Sequence, residues 1–348
     1  PNGSYTLEVI CKNAYGIESK TFTISFQINK PFWKTWWFIL LSLSCLVFII
    51  IQIIKSREKT LQKRQIELEK IVDERTQEVV SKAQEIHNQK ELIEEKQKEI
   101  VDSIKYAQRI QKALLASKTL LDQHLNHYFI FFNPKDLVSG DFYWATHINN
   151  KFYFIVADST GHGVPGAFMS LLNISFLNEA INERKIEKPG DILNYVRQRL
   201  IQSLAEDGSS EGGKDGMDCS LICFDFTAKK LEYACAHNPV VVIRNNELIE
   251  LNNDRMPVGK SPKENIGFNT YEFKFEKGDT LYLLTDGYAD QFGGVRGKKF
   301  KMKTLKDLIL KHHQKPFIHQ KRILDLEFEN WKGELEQVDD VCVIGVKF

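Results

Sequence analysis

The strongest constraint on the fold of this chain is the absence of helix-breaking residues from a long internal stretch. No proline occurs between Pro31 and Pro134, and no glycine occurs between Gly16 and Gly140. Because these two residue types usually interrupt helices, their absence predicts a long continuous helical region between two turn-rich regions. At 348 residues the chain has room for two or three domains.

The first part of the stretch, residues 35–54, reads TWWFILLSLSCLVFIIIQII and carries no charged side chain. A helix of this length, at ~1.5 Å per residue, covers the ~30 Å hydrocarbon core of a bilayer, so we predict one transmembrane helix. A signal peptide is the alternative, but no small-residue cleavage site is present. Basic residues crowd the C-terminal end, at Lys55, Arg57, Lys59, Lys63 and Arg64. The positive-inside rule therefore predicts that the following part is cytoplasmic.

The rest of the stretch, residues 55–115, carries a heptad pattern. Apolar residues recur every seven positions at Val72, Val79, Ile86, Ile93 and Ile100, which predicts a dimeric coiled coil. A second seam is incomplete, with Leu61, Leu68, Ala83 and Ile104 accompanied by Lys90 and Gln97. A solvated single helix is the alternative. A weak coil suits a signal transmitter, because two helix registers close in energy can be biased from outside.

Strand patterns flank this helical region. Residues 5–28 alternate around a turn-like NAYG and predict a hairpin. Since two strands are marginal alone, we interpret 1–30 as the C-terminal part of an extracytoplasmic β-sandwich domain. Residues 116–348 mix both patterns and predict an α+β layered sandwich. Its predicted elements are strands joined by an Asn149-Asn150 turn, helices at 164–182, 190–205 and about 304–334, strands within 218–285 and a last strand at 341–347.

Composition argues against several functions. A formal net charge of +1 provides no field that attracts nucleic acid, so we expect no nucleic-acid partner. The six cysteines form no CxxC pair, so neither a zinc site nor a disulfide framework is predicted. No GxxxxGK[ST] nucleotide loop is present.

Several aspartates border apolar runs, at Asp141, Asp158, Asp286 and the pair Asp339-Asp340. Each alone is a plausible turn residue. A carboxylate at the end of a buried strand is costly unless it is paired or binds a cation, and few basic residues stand nearby. Together they predict a site for Mg²⁺ or Mn²⁺, which prefer oxygen ligands.

The segments SGDFYW, DSTGHGVPGAFMSLL, LLTDGYADQFGG and QVDDVCVIGV, in this order, resemble the SpoIIE-type branch of the 2C-type (PPM) metal-dependent protein phosphatases. The resemblance spans about residues 105–348. It implies an α-β-β-α layered sandwich with two Mn²⁺ or Mg²⁺ ions at one edge. It also implies hydrolysis of phosphoserine or phosphothreonine by a water activated between the ions.

Matched to the family motifs, Asp158 resembles the carboxylate that bridges both ions, and the Ser159 carbonyl would complete one coordination shell. Asp286 and Asp339 resemble ligands of the second ion, and Asp141 matches the acid of the first motif. Asp340 and Asp218 are second-tier candidates. His162 is a candidate proton donor to the leaving oxygen; alternatively, its glycine-flanked loop only lets the backbone approach the site. His237 is expected to be structural or exposed.

A second resemblance links GSYTLEVICKNAYG and NKPFWKTWWF to the end of the sandwich domain that follows many periplasmic β-propeller sensors. The two resemblances imply a single-pass protein of the bacterial inner membrane, with an extracytoplasmic sensor and a cytoplasmic phosphatase. The implied substrate is a phosphorylated regulatory protein similar to an anti-sigma-factor antagonist.

Two other functional classes stay open at this point. A catalytically silent module would use the phosphatase fold only to dock a partner, but the acids of all four motifs are present. A nucleotide-handling output, such as a sensor kinase or cyclase, is suggested only by the likeness of SGDFY to the cyclase signature GGDEF. That likeness fails at the fourth and fifth positions.

Overall fold

The computed structural model describes residues 2–205, 215–228, 230–263 and 265–347. The chain divides into two compact units, the first ending at Glu94 and the second beginning at Glu95. This boundary lies inside one long helix, α1 (Trp36–Leu114). The second unit therefore begins within the segment that the sequence assigned to the coiled coil, and the last turns of α1 belong to it.

The first unit starts with the predicted hairpin. Strand β1 (Gly3–Val9) pairs antiparallel with β2 (Phe22–Ile28), in a register that sets Val9 opposite Phe22. The turn falls at NAYG, where the Gly16 amide donates to the Asn13 carbonyl at 3.0 Å. The hairpin prediction is therefore confirmed, while the further strands of a sandwich domain stay a prediction.

Helix α1 begins with the uncharged segment. An 18-residue window there has a mean hydropathy of 2.7 and contains no buried residue, so by length and composition this helix is able to cross a membrane. The helical stretch Gly163–Glu183 of the second unit passes the same test with half of its window buried. Because a core helix passes too, the test supports a membrane span without establishing one. The heptad residues are exposed, and the dimeric coil stays a prediction.

The second unit contains the remaining helices and strands. Its helices are α2 (Lys118–His124), α3 (Gly163–Asn178), which a π-helical turn (Glu179–Glu183) extends, α4 (Pro189–Ala205), α5 (Gly287–Asp290), α6 (Met302–His312) and α7 (Phe317–Lys332). Its strands are β3 (His127–Asn133), β4 (Asp141–Ile148), β5 (Lys151–Ser159), β6 (Gly216–Asp225), β7 (Lys230–Ala236), β8 (Val241–Arg244), β9 (Glu247–Glu250), β10 (Val258–Gly259), β11 (Tyr271–Phe273), β12 (Thr280–Leu284), β13 (Phe292–Gly293), β14 (Lys298–Lys299) and β15 (Val341–Lys347).

Two antiparallel sheets form the centre of this unit. One has the strand order β11-β7-β6-β5-β4, with β10 paired to β6, and the other has the order β3-β15-β12-β8-β9. The turn between β4 and β5 is Asn149-Asn150, with φ of 52° and 63°. These left-handed angles are typical of the tight turn that the sequence predicted.

Three apolar clusters show how the layers stack. Phe154 and Leu283 share the cluster between the two sheets. Ile155 packs with Leu177 of α3 and residues of α4 on the outer face of the first sheet. Residues of α6 and α7, such as Phe328, cover the outer face of the second sheet. Adjacent strand residues Phe154 and Ile155 thus point to opposite faces, and the predicted α-β-β-α sandwich is confirmed.

Candidate metal centre

Strand register brings three of the aspartates into one row. Asp141 of β4 lies opposite Asp158 of β5, and Asp158 lies opposite Asp218 of β6. Directly opposed residues of antiparallel strands point to the same face of the sheet. Three carboxylates from separate parts of the sequence therefore stand side by side at one end of the sheet.

The second sheet contributes its acids through a close backbone contact. Asp286 directly precedes α5, and a Cβ atom on the next residue, Gly287, would lie 1.9 Å from the Asp340 carbonyl oxygen and 3.4 Å from the Asp339 Cβ. Only glycine fits at such a distance. The Asp-Gly pair is therefore required for Asp286 to approach the Asp339-Asp340 segment.

A hydrogen-bonded threonine joins the two sheets at this point. The Thr285 hydroxyl donates to Asp141 Oδ2 at 2.6 Å, and it accepts the Cys342 amide at 2.9 Å. Asp141 is only 1% exposed. It is therefore the most buried member of the row, and Thr285, which directly follows β12 of the neighbouring sheet, holds its carboxylate in place.

The open part of the site is a cleft of about 230 Å³, lined by Asp158, Ser159, Thr160, Gly161, His162, Gly216, Met217, Asp218, Pro257 and Asp339. Of the predicted site residues, the cleft thus brings together Asp158, Ser159, Asp339 and His162, whereas Asp141 and Asp286 lie outside its lining. A groove beside α2 and α7 is larger, at about 630 Å³, but Asp122 is its only acidic lining residue. Among the described residues, the smaller cleft therefore has three acidic side chains in its lining, Asp158, Asp218 and Asp339.

The site acids share an unfavourable electrostatic environment. Burial, followed by the charges of the nearby Asp286 and Asp339 carboxylates, raises the pKa of Asp158 to about 8. Burial, followed by the charge of Asp158, raises the pKa of Asp141 well above its usual range. The pKa of Asp286 is also raised, first by burial and then by Asp290 and Asp339. A bound cation would relieve both causes, because it replaces lost water and neutralises the like charges.

The lack of basic partners for these acids in the described part of the chain supports a cation site. In the described part of the chain, no Lys, Arg or His side chain forms a salt bridge with Asp141, Asp158, Asp286 or Asp339. Their hard oxygen donors fit Mg²⁺ or Mn²⁺. Within residues 2–205, 215–228, 230–263 and 265–347, no group of three His, Cys, Asp or Glu side chains is already arranged to hold one ion. The donor chemistry fits, and the exact ligand set stays a prediction.

The structure favours Asp339 over its neighbour Asp340 as a ligand. Asp340 is buried, and its two carboxylate oxygens accept the amides of Lys135 and Gly140, each at 2.8 Å. Asp339 lines the cleft. Asp340 therefore holds two loops together, whereas Asp339 faces the site.

The second-tier candidate Asp218 also lines the cleft, and its Oδ1 lies 2.9 Å from His237 Nδ1. This contact gives His237 a partner that its sequence context did not reveal. His237 has a left-handed φ of 56°, and Asn253 Nδ2 donates to its carbonyl oxygen. His237 is thus a positioned neighbour of the acidic row.

Glycines of the SGD, TGHG and VPGA segments pack closely against one another. A Cβ atom on Gly140 would lie 2.3 Å from the Gly161 carbonyl oxygen, and one on Gly166 would lie 2.0 Å from the same atom. Both positions exclude any side chain. This close packing fixes the backbone before His162, and both interpretations of His162 stay predictions.

Two residues near the site were not found from the sequence. Gln111 of α1 is buried, and its Nε2 donates to the Ser139 carbonyl at 2.6 Å and to Ser170 Oγ at 2.9 Å, while its Oε1 accepts the Ser139 amide at 3.1 Å. The residues around Gln111 are similar to those of the rest of the polar helix, so nothing in the sequence indicated that Gln111 contacts the site. Lys135 Nζ lies 3.1 Å from His162 Nε2, and its nearness to SGD in the sequence was the available signal.

Comparison with known proteins gives matches to the second unit. The sequence model of the family described as Stage II sporulation protein E (SpoIIE) matches residues 149–348. The SiaA-PP2C domain of Pseudomonas aeruginosa is similar at 30% identity with a TM-score of 0.65, over 72% of this chain and 98% of that chain. A search of curated proteins gave no match.

Two further solved structures share the fold at lower identity. The RsbU and RsbW domains of Rv1364c from Mycobacterium tuberculosis are 18% identical with a TM-score of 0.50, over 63% of this chain and 59% of that chain. The PP2C phosphatase domain of SpoIIE from Bacillus subtilis, solved with a fragment of its regulatory domain, is 17% identical with a TM-score of 0.51, over 64% of this chain and 62% of that chain.

Proposed function

Because this chain belongs to the SpoIIE family, we propose that it is a membrane-bound signalling phosphatase that removes phosphate from serine or threonine of a regulatory partner protein. Its second unit is a PP2C-type serine/threonine protein phosphatase domain. The observation that carries the proposal is a cluster of acids, Asp141, Asp158, Asp286 and Asp339, none of which forms a salt bridge with a described basic side chain. The cluster lies at the edge of a fold shared with a phosphatase domain. The kinase or cyclase alternative does not fit this family.

The proposed metal ligands are Asp158, the Ser159 carbonyl, Asp286 and Asp339, with Asp141 behind them. Bound Mn²⁺ or Mg²⁺ would supply Lewis-acid activation of water and neutralise charge on the phosphate. Two ions is the number that the family resemblance implies.

The surrounding side chains hold this site rigid. Thr285 fixes Asp141, Asp340 clamps the Lys135 and Gly140 backbone, and Asn173 Nδ2 donates to Ser159 Oγ at 3.1 Å. Such support keeps donor atoms in place without reorganisation during the reaction. The chain's own contribution is thus to orient the acids and the loop that carries Ser159.

The signalling part of the proposal concerns the first unit. We propose four segments: the end of an extracytoplasmic sandwich domain at 1–30, a transmembrane helix at 35–54, a dimeric signalling coil at 55–115 and the cytoplasmic phosphatase at 116–348. The exposed apolar start of α1 and the heptad pattern support this order. The proposed substrate, a phosphorylated protein similar to an anti-sigma-factor antagonist, rests on family resemblance alone.

The proposal is tested by hydrolysis of para-nitrophenyl phosphate and a phosphoserine peptide by the full chain in detergent. We expect activity with Mn²⁺ or Mg²⁺, none with chelator, and a loss on the order of 100-fold or more in Asp158→Asn and Asp286→Asn, because metal ligands are lost. Asp307→Asn, at an exposed position of α6, is the matched control.

Two outcomes would contradict the proposal. Hydrolysis that persists in chelator, or in both site variants, would rule out the metal mechanism. A chain that hydrolyses neither substrate with either metal would instead support the silent docking module.

A further inference from the structure

We propose that Lys135 binds the phosphate group of the substrate, and that His162 positions the Lys135 ammonium instead of donating a proton to the leaving oxygen. The ligand class is a phosphate monoester dianion. This inference rests on the proposed phosphatase function and deepens it, because it assigns a substrate-binding cation beside the same cleft.

Lys135 is attached to the site at both of its ends. Its backbone amide donates to Asp340 Oδ1 at 2.8 Å, and Asp340 directly follows the cleft residue Asp339. Its side-chain Nζ lies 3.1 Å from Nε2 of His162, which lines the same cleft. The ammonium is therefore fixed beside the cleft.

The donors and acceptors of the two His162 hydrogen bonds follow from the chemistry of the lysine ammonium. A lysine ammonium has three donors and no lone pair, so at 3.1 Å His162 Nε2 is the acceptor. The ring proton then resides on Nδ1, which donates to Asp136 Oδ2 at 3.2 Å. A ring nitrogen that accepts from an ammonium has no proton to give to a leaving oxygen. The geometry thus describes a chain from Asp136 through His162 to Lys135.

The second glycine of the TGHG segment makes room for this chain. Gly163 has a left-handed φ of +62°, and a Cβ atom there would lie 2.9 Å from Asp136 Oδ2. A larger residue would both strain the backbone and push the Asp136 carboxylate away. The His-Gly pair therefore suits the contact between His162 and Asp136.

The charges around the cleft indicate which ligand the Lys135 ammonium would bind. In the described part of the cleft lining the charged residues are Asp158, Asp218 and Asp339, with no Lys or Arg. Lys135 forms no salt bridge with a carboxylate among the described residues. An ammonium held beside the site without an acidic partner is suited to a phosphate oxygen, because charge-assisted hydrogen bonds to phosphate are strong.

The first test uses the full chain in detergent with Mn²⁺ and compares Lys135→Ala, Lys135→Arg and the control Lys277→Ala, at an exposed lysine of a distant loop. Isothermal titration calorimetry gives the Kd for inorganic phosphate, and steady-state kinetics give the KM for the phosphoserine peptide. We expect both constants to rise about tenfold in Lys135→Ala, as for loss of one charged hydrogen bond. Lys135→Arg should recover much of the loss, and Lys277→Ala should match the native chain.

The second test compares two leaving groups to decide whether His162 positions Lys135 or donates a proton. Para-nitrophenolate leaves without protonation, whereas a serine oxygen needs a proton. If His162 positions Lys135, His162→Ala raises KM for both substrates alike, and the double variant is no worse than Lys135→Ala, because the two residues act as one unit. A loss of kcat confined to the phosphoserine peptide would overturn the positioning role.

The outcomes distinguish this inference from the proposed function. Hydrolysis by the native chain, with KM and phosphate Kd unchanged in Lys135→Ala, would overturn the inference and leave the function intact. Phosphate binding that depends on Lys135, without hydrolysis by the native chain, would support the inference and defeat the function. A native chain that neither binds phosphate nor hydrolyses would defeat both.

Discussion

At the scale of single residues, the proposed site acids are held in an arrangement that lowers the stability of the metal-free protein. Asp141, Asp158 and Asp286 are held in positions where burial and like charge raise their pKa values. Asp279 of the same unit is also buried, but its carboxylate forms a salt bridge. Its Oδ2 lies 2.6 Å from Arg244 Nη2. This contrast within one domain supports the proposal that Asp141, Asp158 and Asp286 belong to a metal-binding site.

Replacing Asp158 by Asn should therefore stabilise the metal-free protein. Removing one member of the repelling row is expected to add about 1 kcal/mol to the free energy of unfolding, a rise in Tm of roughly 2–4 °C for a domain of this size. The same variant should lose the rise in Tm that Mn²⁺ gives the native chain by binding to the folded state. Thermal unfolding with Mn²⁺ and with chelator measures both effects.

The control for this prediction is Asp307→Asn, where an exposed carboxylate of α6 is removed. It should leave both unfolding temperatures unchanged. A metal-free Asp158→Asn chain that unfolds below the native chain would show that Asp158 makes a net stabilising contribution and would contradict the argument from repulsion.

At the scale of elements, the end of α1 is tied to the loop that carries the first site acid. Gln111 makes hydrogen bonds to both the amide and the carbonyl of Ser139, two residues before Asp141, and to Ser170 of α3. Gln108, one turn earlier, donates to the Leu137 carbonyl at 2.6 Å. Movement of the last turns of α1 would therefore disturb the SGD segment directly.

Gln111→Ala should reduce both stability and activity. The change leaves the buried Ser139 amide without its acceptor, at a cost of about 1–3 kcal/mol, and it frees the segment that orients Asp141. We expect a lower Tm and a weaker Mn²⁺ response in the hydrolysis assay. Thermal unfolding and Mn²⁺ titration of activity are the measurements.

Gln108→Ala is the matched control, because Gln108 is only partly buried and makes one such bond. Its effect on Tm should be clearly smaller. Equal effects of the two variants, or a Gln111→Ala chain with native Mn²⁺ dependence, would argue against a specific link from α1 to the site.

At the scale of the whole molecule, the first unit offers exposed apolar surface and the second a folded enzyme. Ile86 and Ile93 of the heptad pattern are 65% and 64% exposed in the single chain. A second copy of α1 would cover them in the proposed dimer. The pattern is interrupted by polar residues in its second seam, so we expect a coil of limited stability.

Cysteine cross-linking tests the dimer in the membrane. In a Cys11→Ser, Cys45→Ser background, which removes the exposed thiols of the described chain, Ile93→Cys should form disulfide-linked dimers on mild oxidation, because heptad core positions face each other. Non-reducing gel electrophoresis of membranes reads out the result. Lys98→Cys, on the outer side of the predicted coil, should cross-link much less; equal yields would contradict the predicted seam.

Much of the fold was predictable from local patterns. The hairpin of residues 5–28, the Asn149-Asn150 turn and the final strand Val341–Lys347 follow from period-two alternation and turn chemistry. The helices predicted at about 304–334 are α6 and α7, which a break before Phe317 separates. Such features depend on neighbours along the chain, so one sequence is sufficient to reveal them.

By itself, the sequence determined which residue types carry the chemistry, because carboxylates that interrupt apolar runs are unusual wherever they occur. Only the tertiary structure decided how these side chains are arranged. Strand register set Asp218 beside Asp158, backbone amides occupied Asp340 and left Asp339 facing the cleft, and loop packing brought Lys135 to His162. These contacts join residues far apart in the chain, and their geometry depends on how sheets and loops pack, which no local pattern encodes.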